Sequence, residues 1–345
     1  MSEIEGPPLL LSDDPPISLS LDGAHVLSDD AKTPQRELNK PRPFFNWLIT
    51  LVRQKRSWLP SVVLGEAWRF LSNIHKHREI RKVLKLKPFA EIAQDTPGFA
   101  FKYVTPDYLA RGFTITERVS CFVHHYRRLH STFSERALRE VLIKDLTIHK
   151  MSKGDNSFTI MIGPPDALSR LEGELSLNLL VNGKTIFGLS FTVVPGWVVR
   201  SDVAEILLVT RLQGAPGCTE EIKLACRAVY YYSPRGVLLA ALEGIAEVFA
   251  IDHLEAICAE MQRSYTEDRS EIFKTNYDDF FEKAGMSKTA AGFYSSPIPI
   301  QGRPLESFKG SARWRAKKRR LMMKEIQSAC SNSLVEVQRV ATPSS

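Results

Sequence analysis

The chain has 345 residues, 43% of them apolar and 25% charged, and a formal net charge of +7, the make-up of a globular protein. No apolar run reaches the roughly 18 residues that span a bilayer, and the opening MSEIEGPPLLL lacks the basic start and long apolar stretch of a secretory signal. Five scattered cysteines, Cys121, Cys218, Cys226, Cys258 and Cys330, form no C-x-x-C pair, which argues against a disulfide scaffold or structural zinc and for a reducing cytoplasm.

Charge is unevenly placed. Residues 1–31 hold seven acids and no Lys or Arg, so the remainder carries +14 and favours anionic partners. Residues 1–43 are rich in Pro, Ser and Asp and read as a disordered leader. Order is expected from Phe44, in FFNWLITLV, followed by RQKRSWLP and a helix over 62–77. Residues 69–87 hold seven Lys/Arg against one Glu. A short strand is expected at 99–103, a helix over 116–133 (TERVSCFVHHYRRLHSTF) and another over 134–144.

From about Leu146 the apolar spacing changes from helical to alternating. Strands are expected at 158–162, 174–181, 184–194 and 206–212. Asn182-Gly183 between two apolar runs is the strongest local hairpin signal, because both turn residues must take φ > 0. The last strand ends in the turn Gly214-Ala-Pro-Gly217, and Thr219 reads as the cap of a helix whose first turn holds Glu220 and Glu221. Exposed N–H groups at such a turn suit a phosphate. Two helices follow, over 220–232 and from Ser233-Pro234 to about Ala250, then a strand at 254–260. A helix over 276–284 stops at Gly285, residues 292–300 are extended, and a basic helix covers 311–326 before a loose tail. The order implies an α+β fold with a mainly antiparallel sheet and flanking helices. We divide it as a leader 1–43, a helical region 44–145, an α+β core 146–304 and a basic helix with loose tail 305–345.

Six phrases in register, HHYRRL at 124–129, EGELSLNL at 172–179, RLQGAPG at 211–217, YSPRGVLLAAL at 232–242, NYDDFFEKAG at 276–285 and RWRAKKRR at 313–320, resemble the VirK/YbjX family of Gram-negative bacteria. The resemblance covers about residues 58–329 and departs from the family pattern at Tyr231-Tyr232 and Met286. It implies a role in cell-envelope homeostasis, virulence and antimicrobial-peptide resistance, and no established reaction.

The core 146–304 also resembles the GNAT-like (acyl-CoA N-acyltransferase-like) architecture. That fold has a meander, a strand splayed at a pyrophosphate loop, a helix, another strand, and a late helix with a Tyr before a Gly-hydrophobic pair. RLQGAP at 211–216 matches its loop at the first two positions, with Pro216 replacing the last small residue and removing a donor. The resemblance implies acyl-CoA or an acyl carrier protein as donor, held by Arg211, Gln213, Gly214, Gly217 and Thr219, with Tyr277 protonating the leaving thiolate. Glu172 and Glu174 lie on one side of a strand, and Glu174 is the candidate to take a proton from an attacking amine. A solvated strand edge is the competing reading. His125, in the cluster His124, His125 and His130, is the candidate proton handler; no His-Glu-x-x-His or Cys/Asp set argues for a metal.

Arg313, Arg315, Lys317, Lys318, Arg319, Arg320 and Lys324 surround Trp314, Met322 and Met323. Such a helix suits the anionic inner face of the cytoplasmic membrane or a protein partner; no motif supports specific nucleic-acid binding. The enzymatic reading is acyl transfer from acyl-CoA or acyl carrier protein. The alternative is a non-catalytic peripheral membrane or adaptor protein.

Overall fold

A computed structural model describes residues 60–96, 98–230 and 232–340; the leader and the segment 44–52 lie outside them. The helices before the sheet are α1 (Pro60–Ser72), α2 (Ile74–Leu84), α3 (Phe89–Asp95), α4 (Ile115–Thr132) and α5 (Glu135–Ile143). The single helix expected over 62–77 is two, broken at Asn73. Residues Phe99–Val104 form a 3-10 turn rather than a strand. Phe99, Ala100, Phe101, Tyr103 and Val104 are all buried, so the segment has no polar alternate positions to turn outward as a half-exposed strand requires. Helix α4 starts on a reciprocal cap: Thr114 accepts from the Glu117 N–H, and Glu117 accepts from the Thr114 N–H at 2.7 Å.

The sheet has eight strands: β1 (Leu146–Lys153), β2 (Asn156–Gly163), β3 (Leu175–Val181), β4 (Lys184–Pro195), β5 (Glu205–Gly214), β6 (His253–Ala256), β7 (Ser287–Lys288) and β8 (Tyr294–Pro297). Their order is β1-β2-β3-β4-β5-β6-β8-β7. Every pair is antiparallel except β5–β6. That parallel pair needs a crossover, which α6 (Thr219–Ala228) and α7 (Pro234–Phe249) supply. The chain is thus α+β with one mostly antiparallel sheet. The β3–β4 turn takes φ +50 at Asn182 and +82 at Gly183, the geometry its sequence demands.

Side chains alternate across a strand, and this assigns the layers. Glu174 meets Tyr126 of α4, whereas Leu179, an odd number of residues on, faces Val237 of α7. Helix α4 therefore covers one face of the sheet and α7 the other. Helix α10 (Gly310–Val340) packs beside α7 and runs well past the expected end at 326. Two short helices, α8 (Ser270–Asn276) and α9 (Asp278–Ala284), meet at Tyr277, and Gly285 ends α9 at φ +104. Buried apolar residues form one cluster from Phe70 in α1 to Leu334 in α10. Among the described residues no helix is long and apolar enough to cross a membrane.

Candidate functional site

Strands β5 and β6 pair only from Leu207↔Leu254 to Val209↔Ala256, with one further bond from the Ile257 N–H to the Val209 carbonyl, 3.0 Å. Beyond this they part. Strand β5 continues to Gly214 held by β4 alone, while the chain after β6 turns into a 3-10 segment at Ala259–Met261. The parting coincides with a bulge. Ser190 pairs Arg211 and Phe191 pairs Val209, which leaves Thr210 as the extra residue on β5. Its hydroxyl donates to the Glu172 carbonyl.

Tyr277 enters the gap from the start of α9. Its Oη accepts the Leu212 N–H at 3.3 Å, standing where the next strand's carbonyl would stand in an unbroken sheet. Among the described residues its own proton has no acceptor. The side chain is 3% exposed. Burial pushes the phenol up to about 12, with Glu172 adding to the rise and the Leu212 N–H opposing it.

Glu172 lies beside this phenol. Its Oε2 is 3.2 Å from Arg211 Nε, and its Oε1 accepts from Gln262 Nε2 at 2.7 Å. Burial raises the carboxyl above its ordinary value, and Arg211 and Gln262 hold the rise back. The residue after it must be glycine, since a Cβ on Gly173 would stand 2.7 Å from Ser190 Cβ. Arg211 lies over another glycine: a Cβ on Gly188 would meet its Nη1 at 2.9 Å.

The turn after β5 is braced against β4 by a bond from the Ala215 N–H to the Ile186 carbonyl, 2.9 Å. Gln213 is exposed, Gly214 touches Phe187 and Ile222 through its missing Cβ, and Gly217 takes φ +69. Cys218, not Thr219, occupies the cap position of α6, with no side-chain cap; Thr219 is the first helical residue. The first bonded amide of α6 is that of Ile222, so the amides of the first turn have no intrahelical partner. Glu221 pairs with Lys184 at 2.6 Å and Glu220 with Lys223 at 2.8 Å, which offsets their negative charge there. Arg235, at the start of α7, donates to Asn276 Oδ1 and lies over the rings of Phe187 and Phe280. Burial lowers its pKa.

The structure brings Arg211, Tyr277 and Glu172 together and places Gly214 at the end of the same strand, Gly217 in the turn after it and Thr219 at the start of α6. Glu174 and His125 have other partners. Glu174 accepts from the hydroxyls of Tyr108 and Tyr126 and from Lys102 Nζ at 2.9 Å, with its side chain fully buried. Its charge ties the helical layer to the sheet. His125 is fully buried, and its Nδ1 accepts the Val193 N–H at 3.0 Å. Burial, aided by Lys102, lowers its pKa to about 3 and keeps the ring neutral. His124 pairs instead with Glu205 at 2.6 Å. Among the described residues no three His, Cys, Asp or Glu side chains are grouped to hold a metal. Gln262, Arg235, Lys102 and Tyr108 escaped the sequence reading, because each joins its partner across dozens of residues with no local spacing to mark it.

A family model described as "Protein of unknown function (DUF535)" matches residues 66–332. The chain belongs to the DUF535 family. This is the VirK/YbjX family that its motifs resemble. The DUF535 match begins within α1 and ends within α10, so it takes in both faces of the sheet and the parted strands. No curated protein and no solved structure matches the chain.

Proposed function

We propose that this DUF535 protein is a GNAT-like acyltransferase that draws its acyl group from a thioester of CoA or of an acyl carrier protein. One observation carries the reading: Tyr277 Oη bound to the Leu212 N–H in the gap between β5 and β6. A thioester carbonyl seated there would accept the same N–H, and the phenol would lie beside its sulfur. The bulge at Thr210, the parallel β5–β6 pair and the turn into α6 favour the same reading.

In the proposed step an acceptor amine adds to the thioester carbon, Leu212 N–H stabilises the developing oxyanion, and the C–S bond breaks. Glu172 takes the amine proton and Tyr277 protonates the thiolate. Solvent then moves the proton from Glu172 back to Tyr277. Glu172 replaces Glu174 in this role because Glu174 is saturated by two hydroxyls and an ammonium. The raised pKa of Glu172 keeps it a stronger base than a surface carboxylate. Arg211 and Gln262 position it. The phosphates of the donor are assigned to the turn at Gly217 and Thr219, with Arg235 as the cation that would meet them. The cellular role that fits is the one the VirK/YbjX resemblance implies, in envelope homeostasis and peptide resistance.

The second reading, a non-catalytic adaptor, is favoured by the close bracing of the turn at Ala215 and Cys218. Calorimetry with acyl-CoA and acylated carrier protein separates the two. The acyltransferase reading expects micromolar binding of one donor, and amine-dependent thiol release that falls about a hundredfold in Tyr277→Phe and Glu172→Gln with donor affinity little changed. Absence of binding up to millimolar donor leaves the adaptor reading.

A further inference from the structure

The basic helix presents an outward face different from the one its sequence suggests. Met322 and Met323 pack against the core, together with the buried Ala316, Ile326, Cys330 and Leu334. Trp314 and Leu321 lie on the other side, 56% and 55% exposed, with one edge of the indole against the Tyr230 ring, centroids 6.0 Å apart. Seven residues apart at about 100° per residue, they fall within roughly 20° of each other on the helix surface. Lys317 and Lys324 flank that line on one side and Lys318 on the other, all exposed. Lys318 Nζ lies 5.9 Å from the Trp314 ring. A surface hollow of about 450 Å³, lined by Leu305, Gly310, Arg313, Trp314 and Lys317, opens beside the indole.

The face is held rigidly. A Cβ on Gly244 of α7 would stand 2.2 Å from the Gln327 carbonyl, so the two helices touch backbone to backbone. Ser333 Oγ donates to the Ile148 carbonyl at 2.8 Å, and Gln327 donates to Glu247 at 2.7 Å. Residues 307–324 hold eight Lys/Arg and no Asp or Glu, bounded by Glu306 and the exposed Glu325. Arg319 lies on the Tyr232 ring and Arg320 donates to the Arg303 carbonyl. Arg313, Arg315, Lys317, Lys318 and Lys324 have no ion-pair partner among the described residues.

We propose that this outward face of α10 binds the surface of a bilayer containing anionic lipid, independently of any acyl transfer. Lysines alone would suit any polyanion. A Trp and a Leu in line at the centre of the cationic face gain from entering an interface that a nucleic-acid backbone does not offer. Lysines around them reach the headgroup phosphates while the two apolar side chains sink between the acyl chains.

The test is co-sedimentation of the full chain with vesicles of phosphatidylglycerol and phosphatidylcholine, against phosphatidylcholine alone. Binding to the anionic vesicles is expected, weakening about tenfold or more in 0.5 M salt and in Lys317→Gln/Lys318→Gln/Lys324→Gln. Trp314→Ser/Leu321→Ser removes no charge and, within the fold, only the indole's edge contact with Tyr230 and its contact with Lys318, so its circular dichroism stays native and its affinity falls about tenfold. Equal recovery in the supernatant with both lipids overturns the proposal. So does undiminished affinity of Trp314→Ser/Leu321→Ser, which would make the face a plain polyanion site.

Discussion

Glu255 offers a quantitative check on the sheet. It sits on β6 between Leu208 of β5 and Ser295 of β8. The residue is 2% exposed, and its Oε2 has no hydrogen-bond partner among the described residues. Burial pushes the carboxyl from 4.5 up to about 7, with Ser295 opposing the rise. In the unfolded chain it would ionise at its ordinary value. From pH 4.5 to 7 the folded protein therefore keeps a proton that the unfolded chain releases, so stability falls as pH rises through that window. At about 1.4 kcal/mol per tenfold change in acidity the full loss is about 3 kcal/mol. Glu255→Gln keeps the shape and removes the titration. It should be about 1 kcal/mol more stable than the native chain at pH 5 and about 3 kcal/mol more stable at pH 8. His125, lowered to about 3, and His77, lowered to about 4, act in the opposite sense, costing stability as pH falls below 6.5. They are common to both proteins and cancel in the difference. Urea unfolding of the two proteins at both pH values measures it. A difference independent of pH would show that Glu255 is already ionised in the fold and refute the reasoning.

Glu174→Ala should lower unfolding stability by about 3–5 kcal/mol in the same assay, because it strands a buried Lys102 and two tyrosine hydroxyls. Gly244→Ala drives a methyl into the Gln327 carbonyl at 2.2 Å; a loss of about 1–3 kcal/mol is expected, with faster hydrogen exchange along α10.

The hairpin at Asn182-Gly183 was legible because its turn conformation is dictated by two residues in place. The strand–turn–helix at Gly214 was legible for the same local reason, although the cap fell on Cys218. The 3-10 turn at Phe99–Val104 was not, since an almost wholly apolar run has no polar phase to separate strand from helix. The extra length of α10 is not marked in the sequence because its C-terminal half carries Ser, Asn and Val. These are weak helix formers, held there by Cys330, Leu334 and the Ser333–Ile148 bond.

Glu172 and Glu174 show where local sequence stops deciding. They are two residues apart in the segment leading into β3, so spacing alone gives them equal claims as a base. What separates them comes from elsewhere in the chain. Lys102, Tyr108 and Tyr126 converge on Glu174 from the helical layer and use its carboxylate to bind that layer to the sheet. Glu172 meets Arg211 on the bulged strand and Gln262 just after β6, at the place where β5 and β6 part. The bulge at Thr210 places Glu172 there, because its hydroxyl holds the Glu172 carbonyl while the strand beyond it presents the Leu212 N–H to Tyr277. The carboxylate with two partners is the one the proposed acyl transfer uses; the one with three joins the helical layer to the sheet.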